Sequence, residues 1–89
     1  MISRTVTVIN RLGLHARAAT RLVNCAADFE SEVLVSKGPR VVNGKSIMGV
    51  LTLAAATGTE LTIEAQGTDE KMAVDALIRL INNRFGEDE

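Results

Sequence analysis

Aromatic residues are nearly absent from this chain: it has no Trp or Tyr, and Phe29 and Phe85 are the only rings of that kind in 89 residues. Proteins that grip single-stranded nucleic acid stack bases on clustered aromatics, so that class is disfavoured at the outset. A net charge of −1, from ten basic and eleven acidic side chains, also withholds the basic footprint that a duplex binder needs. Cysteine is reduced to Cys25, which excludes an internal disulfide and a cysteine-rich zinc site. A single histidine beside that single cysteine argues against any metal centre, and nothing implies a resident cofactor. No apolar run approaches the roughly 20 residues that cross a bilayer. The start Met1-Ile2-Ser3-Arg4-Thr5 leads into a strand pattern without an apolar signal core. These absences lead us to expect a soluble cytoplasmic monomer with no membrane or nucleic-acid partner.

What is present is aliphatic. The hydrophobic fraction of 46% supports a packed core, which must be built from Val, Leu, Ile and Ala. A chain of this length is expected to form one domain spanning 1–89. Thr5 and Thr7 alternate with Val6 and Val8, the period-two pattern of a half-buried strand over residues 3–9. Residues 16–27 read as a helix with Ala19, Leu22, Val23 and Ala26 on one stripe. Val33 and Val35 mark a second strand, turned by Gly38-Pro39 into a short return strand Arg40-Val41-Val42. Asn43-Gly44 ends it, and Ser46 is placed to cap a short helix over 47–53. Leu61, Ile63 and Ala65 alternate with Glu60, Thr62 and Glu64 in the last strand. A final helix follows from Thr68-Asp69, with Val74, Leu77, Ile78, Ile81 and Phe85 as its buried stripe, Gly86 as its stop and Glu87-Asp88-Glu89 as a frayed tail. The order βαββαβα with one-sided alternation predicts an α+β fold, a four-stranded antiparallel sheet with three helices on one face.

Between the first strand and first helix lies Gly13-Leu14-His15-Ala16-Arg17-Ala18-Ala19-Thr20, which holds the only histidine. His15 falls at or just before a helix start, where backbone N–H groups lack intrahelical partners and the dipole favours an anion. Arg17 adds a planar fork of donors suited to phosphate. A neutral imidazole beside such a pocket is a nucleophile placed to accept a phosphoryl group. The helix start and Arg17 are expected to disfavour the imidazolium.

The run Gly13-Leu14-His15-Ala16-Arg17 resembles the phosphorylation-site motif of HPr, the histidine phosphocarrier family of the bacterial phosphoenolpyruvate-dependent phosphotransferase system. Asn43-Gly44-Lys45-Ser46-Ile47-Met48-Gly49-Val50-Leu51 resembles that family's regulatory-serine motif. The two motifs stand about thirty residues apart in a chain of the right length, so the resemblance spans essentially the whole domain. It implies an open-faced β-sandwich with strand order 1-4-2-3. It also implies phosphorylation of His15 on Nδ1 by Enzyme I, transfer to an EIIA-type acceptor, and phosphorylation of Ser46 by an HPr kinase/phosphorylase. The protein would then be a carrier, substrate and donor in a relay, rather than an enzyme. The family's commonest motif has proline after the arginine, where this chain has Ala18. That departure, with Leu80-Ile81-Asn82-Asn83 and the acidic ending, looks more like the nitrogen-related branch, NPr.

Each of these residues also has a plainer role. A loop histidine can simply cap a helix, and serine is a preferred N-cap without any modification. Arg17 could be a solvated first-turn cation, although the dipole makes that place slightly unfavourable. Phosphate at a helix N-terminus is tolerated, so modification of Ser46 would act through its charge. Ile47, Met48 and Leu51 cannot all face inward on so short a helix, and exposed adaptable methionine suits surfaces that serve several partners. The resemblance makes Ala16, Thr20, Ile47, Met48 and Leu51 the docking residues. The alternative from another class is a non-phosphorylated α/β interaction or small-ligand sensing module, which would tolerate loss of His15.

Overall fold

In the computed structural model, which describes residues 1–89, the Thr/Val alternation near the start becomes strand β1, Ile2–Thr7. Val8 extends its pairing by one residue through backbone bonds to Thr59 and Gly58, at 2.8 and 2.7 Å. Helix α1 spans Ala16–Ala27, β2 Glu32–Lys37, β3 Arg40–Asn43 and α2 Ile47–Leu51. Strand β4 follows at Glu60–Gln66, and α3 at Glu70–Asn82. The sheet order is β1-β4-β2-β3 with every neighbouring pair antiparallel. This is the open-faced α+β sandwich that the resemblance implied.

Register decides which side of the sheet is dry. On β4, Leu61 lies opposite Val6, while Ile63 and Ala65 lie opposite Val35 and Val33. All six are buried. Glu60, Thr62 and Glu64 alternate with them on the wetter face, because successive side chains on a strand point to opposite sides. The helices cover the dry face: α3 packs over β1 and β4, and α1 packs against α2 and α3. Removing a Leu or Ile side chain from water here contributes about 1.5–3 kcal/mol. Leu22, Leu61, Ile63, Leu77 and Ile81 are all fully enclosed.

Several expectations need correction. On α1 the buried stripe is Ala18, Ala19, Leu22 and Ala26, with Val23 only half-buried. The second helix stops at Leu51 rather than 53: the Thr52 N–H is shared between the Met48 and Gly49 carbonyls, and Ala54 turns to a φ of +49°. Leu53 is nevertheless buried, so its apolar character served the core rather than the helix. Of the short helix only Val50 is buried; Ile47, Met48 and Leu51 are all exposed. Helix α3 ends at Asn82, and Phe85 reaches the core from a tight turn in which Arg84 and Phe85 adopt φ of +56° and +55°. The acidic ending is not frayed. Its docking builds one wall of the site described next.

Candidate functional site

Gly13 prepares the histidine loop. Its φ is +68°, and a Cβ there would lie 2.6 Å from the Ala55 carbonyl oxygen. Such close approach lets the Leu14 N–H donate to the same carbonyl at 2.8 Å, seating the loop on the connection between α2 and β4. The next residue, His15, is extended (φ −76°, ψ −179°) and caps α1. Its carbonyl accepts the first helical bond, from Ala19 N–H at 2.8 Å. Its ring Nδ1 accepts the Arg17 N–H at 3.3 Å. The plainer capping role is thus what the ring does in this structure. Nδ1 lies where the helix presents its unpaired amides.

The other ring nitrogen is engaged too. Nε2 of His15 contacts the Glu87 carboxylate, and Arg17 Nε lies 3.8 Å from the same oxygen. The second Glu87 oxygen accepts a hydrogen bond from Asn10 Nδ2 at 2.9 Å. Asn10 is fully buried and also donates to the Gly13 carbonyl at 2.8 Å, while its Oδ1 has no partner. The Asn10 amide, the His15 ring bond and then the charges of His15 and Arg17 hold the Glu87 carboxyl below the usual carboxylate range. Reading from the sequence weighed the helix and Arg17 but not an acid 72 residues away.

Further along the tail, Arg11 pairs with Glu89 through its side chain (3.1 Å) and its backbone N–H (3.0 Å). Arg21 donates to the Phe85 carbonyl. Arg11, Arg17 and Arg21 line an open cleft of about 380 Å³ together with Glu87, Asp88 and Glu89. Asn10 and Glu87 were missed in the sequence. The only signal was a complement, three basic residues around the histidine and three acids at the end of the chain.

The second motif is folded as expected at its cap. Ser46 Oγ accepts the Gly49 N–H at 3.1 Å at the start of α2, and Asn43 Oδ1 accepts the Lys45 N–H at 2.9 Å in the preceding turn. Ala16 and Thr20 are exposed on α1, and Ile47, Met48 and Leu51 on the neighbouring α2. No group of three or more His, Cys, Asp or Glu side chains is arranged to hold a metal ion. No helix is long and apolar enough to cross a membrane. Burial pushes the Cys25 thiol up from its ordinary value, away from reactive thiolate character.

An α+β sandwich with a capping histidine on a phosphate-friendly helix start defines a class of protein, the histidine phosphocarriers, and comparison with known proteins agrees. The family model described as "PTS HPr component phosphorylation site" matches residues 2–83, and the chain belongs to the HPr phosphocarrier family of the phosphotransferase system. It is 53% identical over 89 residues to the phosphocarrier protein HPr of Cupriavidus necator, covering all of both chains. It is 51% identical, again over the full length of both, to that of Neisseria meningitidis serogroup B. Among solved structures, HPr-C-His from Thermoanaerobacter tengcongensis superposes with a TM-score of 0.96 at 40% identity, covering 100% of each chain. The Bacillus subtilis catabolite-repression protein Crh, solved as a swapped dimer, gives 0.75 at 42% identity, covering 94% of this chain and 97% of that one.

Proposed function

We propose that His15 is the phosphoacceptor, taking a phosphoryl group on Nδ1 from the phosphohistidine of Enzyme I and passing it to a histidine of an EIIA-type protein. The observation that carries this reading is the placement of Nδ1 at the first turn of α1, accepting the Arg17 N–H. Transfer between two nitrogens asks little covalent chemistry of the carrier beyond position and charge. Arg17, 63% exposed at its side chain, is free to follow an incoming phosphate. Ala16, Thr20, Ile47, Met48 and Leu51 form the docking surface, supported by the exposure of all five. Ser46 is a regulatory phosphorylation site where the host has an HPr kinase/phosphorylase. A dianion added at the start of α2 is compatible with that helix and acts by changing the charge of the docking face. The protein is a cytoplasmic monomer of one domain, residues 1–89, with no catalytic turnover or cofactor of its own. Ala18, in the place of the family's usual proline, favours the nitrogen-related branch.

The test is incubation with Enzyme I, magnesium and labelled phosphoenolpyruvate, comparing the native protein with His15→Ala. Acid-labile, alkali-stable label on the native protein alone is the expected result. Absence of label with either Enzyme I paralogue overturns the phosphoacceptor role. The faster paralogue decides the branch.

A further inference from the structure

We propose that Glu87 is a positioning residue for phosphoryl transfer: fixed by Asn10, its carboxylate holds the ring proton of His15 on Nε2 and keeps Nδ1 as the nucleophile in one orientation. The inference rests on the phosphoacceptor role of His15.

An ionised carboxylate only accepts hydrogen bonds, so the ring nitrogen that faces Glu87 must be the one bearing hydrogen. The opposite nitrogen, Nδ1, receives the Arg17 N–H and so presents its lone pair. Both contacts select the same tautomer. Glu87 itself is not a loose surface acid, because its side chain is only 11% exposed. Asn10 binds it to the loop: one amide group spans the Gly13 carbonyl and the Glu87 carboxylate, two residues upstream of the histidine and 72 downstream. That arrangement leaves the buried Oδ1 of Asn10 without a partner, a cost that ordinary packing would relieve. Phe85, fully buried two residues upstream of Glu87, anchors the tail in the core.

In the transfer step the Nδ1 lone pair attacks phosphorus of a phosphohistidine donor. The new N–P bond forms as the donor's N–P bond breaks, and that electron pair returns to the donor nitrogen. The His15 ring gains positive charge while its Nε2 proton stays in place, facing Glu87. Carboxylates orient and stabilise an imidazolium in the same manner in Ser-His-Asp hydrolases. Onward transfer benefits as well, since a ring that keeps its proton is the better leaving group. No proton leaves the site and no further reactant is consumed.

The experiment combines ring ¹⁵N NMR of the unphosphorylated protein with transfer rates from phosphorylated Enzyme I, for native protein, Glu87→Gln, Glu87→Ala and a chain ending at Gly86. Circular dichroism melting confirms folding of each. Native protein is expected to show well-separated nitrogens, Nε2 protonated and Nδ1 bare. Glu87→Gln keeps an acceptor and should retain the separation but lose rate, because the charge is gone. Glu87→Ala and the shortened chain should lose both, with transfer slowed about tenfold or more, as for other orienting partners of histidine. Rates within twofold of native in folded Glu87→Ala overturn the proposal, whether or not the ring signature changes. If the native protein itself takes no label, the phosphoacceptor role fails and this inference falls with it.

Discussion

Arg17 stands in the first turn of a helix, where a positive charge meets the positive end of the dipole and is slightly unfavourable. In the folded protein that penalty is offset by the Glu87 carboxylate, 3.8 Å from Nε. With 63% of its side chain exposed, it contributes little to packing, so Arg17→Ala should leave stability within about 0.5 kcal/mol. Its planar fork is matched to phosphate, and loss of it should slow transfer from Enzyme I about tenfold or more, the order expected for a charge-stabilising donor group. Rapid-quench transfer kinetics beside a denaturant melt separate the two effects. An unchanged rate in the folded variant would remove Arg17 from the phosphate-stabilising role. Residues with such local chemistry were legible in the sequence: Gly13, His15, Arg17 and Ser46 each carry a signal within three or four positions. Asn10 and Glu87 carry none. Their meaning is a contact across 77 residues, which no local pattern encodes.

At the scale of elements, α1 and α2 begin with the same device, a side chain that accepts a backbone N–H from the first turn. Helix α3 does not: Asp69 sits at its N-cap without a capping bond and instead holds the Glu30 and Ser31 N–H groups at 3.0 Å and the Ser31 hydroxyl. Ser46 is thus a true cap, and Ser46→Ala should cost about 1 kcal/mol in a denaturant melt. Ser46→Asp retains an acceptor and suits the dipole, so it should stay within about 0.5 kcal/mol of native. A neutral Ser46→Ala would show that the Gly49 contact contributes nothing and would leave modification as the only task for that side chain. The element boundaries explain what periodicity reads well. Helix α1 was foreseen at its observed bounds because Gly13 and the Asp28–Ser31 stretch punctuate it. Leu53 and Phe85 misled because burial continues after the helix ends, and an apolar residue says nothing about the backbone that delivers it.

Over the whole molecule, an aliphatic core with one enclosed aromatic, Phe85, is closed off by polar clips, most of them between distant segments and one, Lys71 with Asp75, within α3. Four carboxyls are held below their ordinary range: Asp69 by the Ser31 hydroxyl and then the Glu30 amide, Asp75 by Lys71, Glu70 by the N-terminal amine, and Glu87 by Asn10 and then His15. Each is a group whose pKa is lower folded than unfolded, so each stabilises the fold above the ordinary carboxylate range, about 4. That contribution disappears as the pH drops through the depressed folded values, because protonation breaks the clip. The melting temperature should therefore be flat from neutrality to about pH 5 and fall below about 4. Asp69 makes three of these bonds, one from the Glu30 N–H and two from Ser31, which is buried. Asp69→Asn should melt lower than native at neutral pH and show a shallower fall in acid. Parallel acid curves for the two proteins would mean that Asp69 ionisation is not linked to folding. In that case the acid sensitivity would have to come from the remaining three, with Glu87 the natural next variant, because its protonation would also release His15 Nε2.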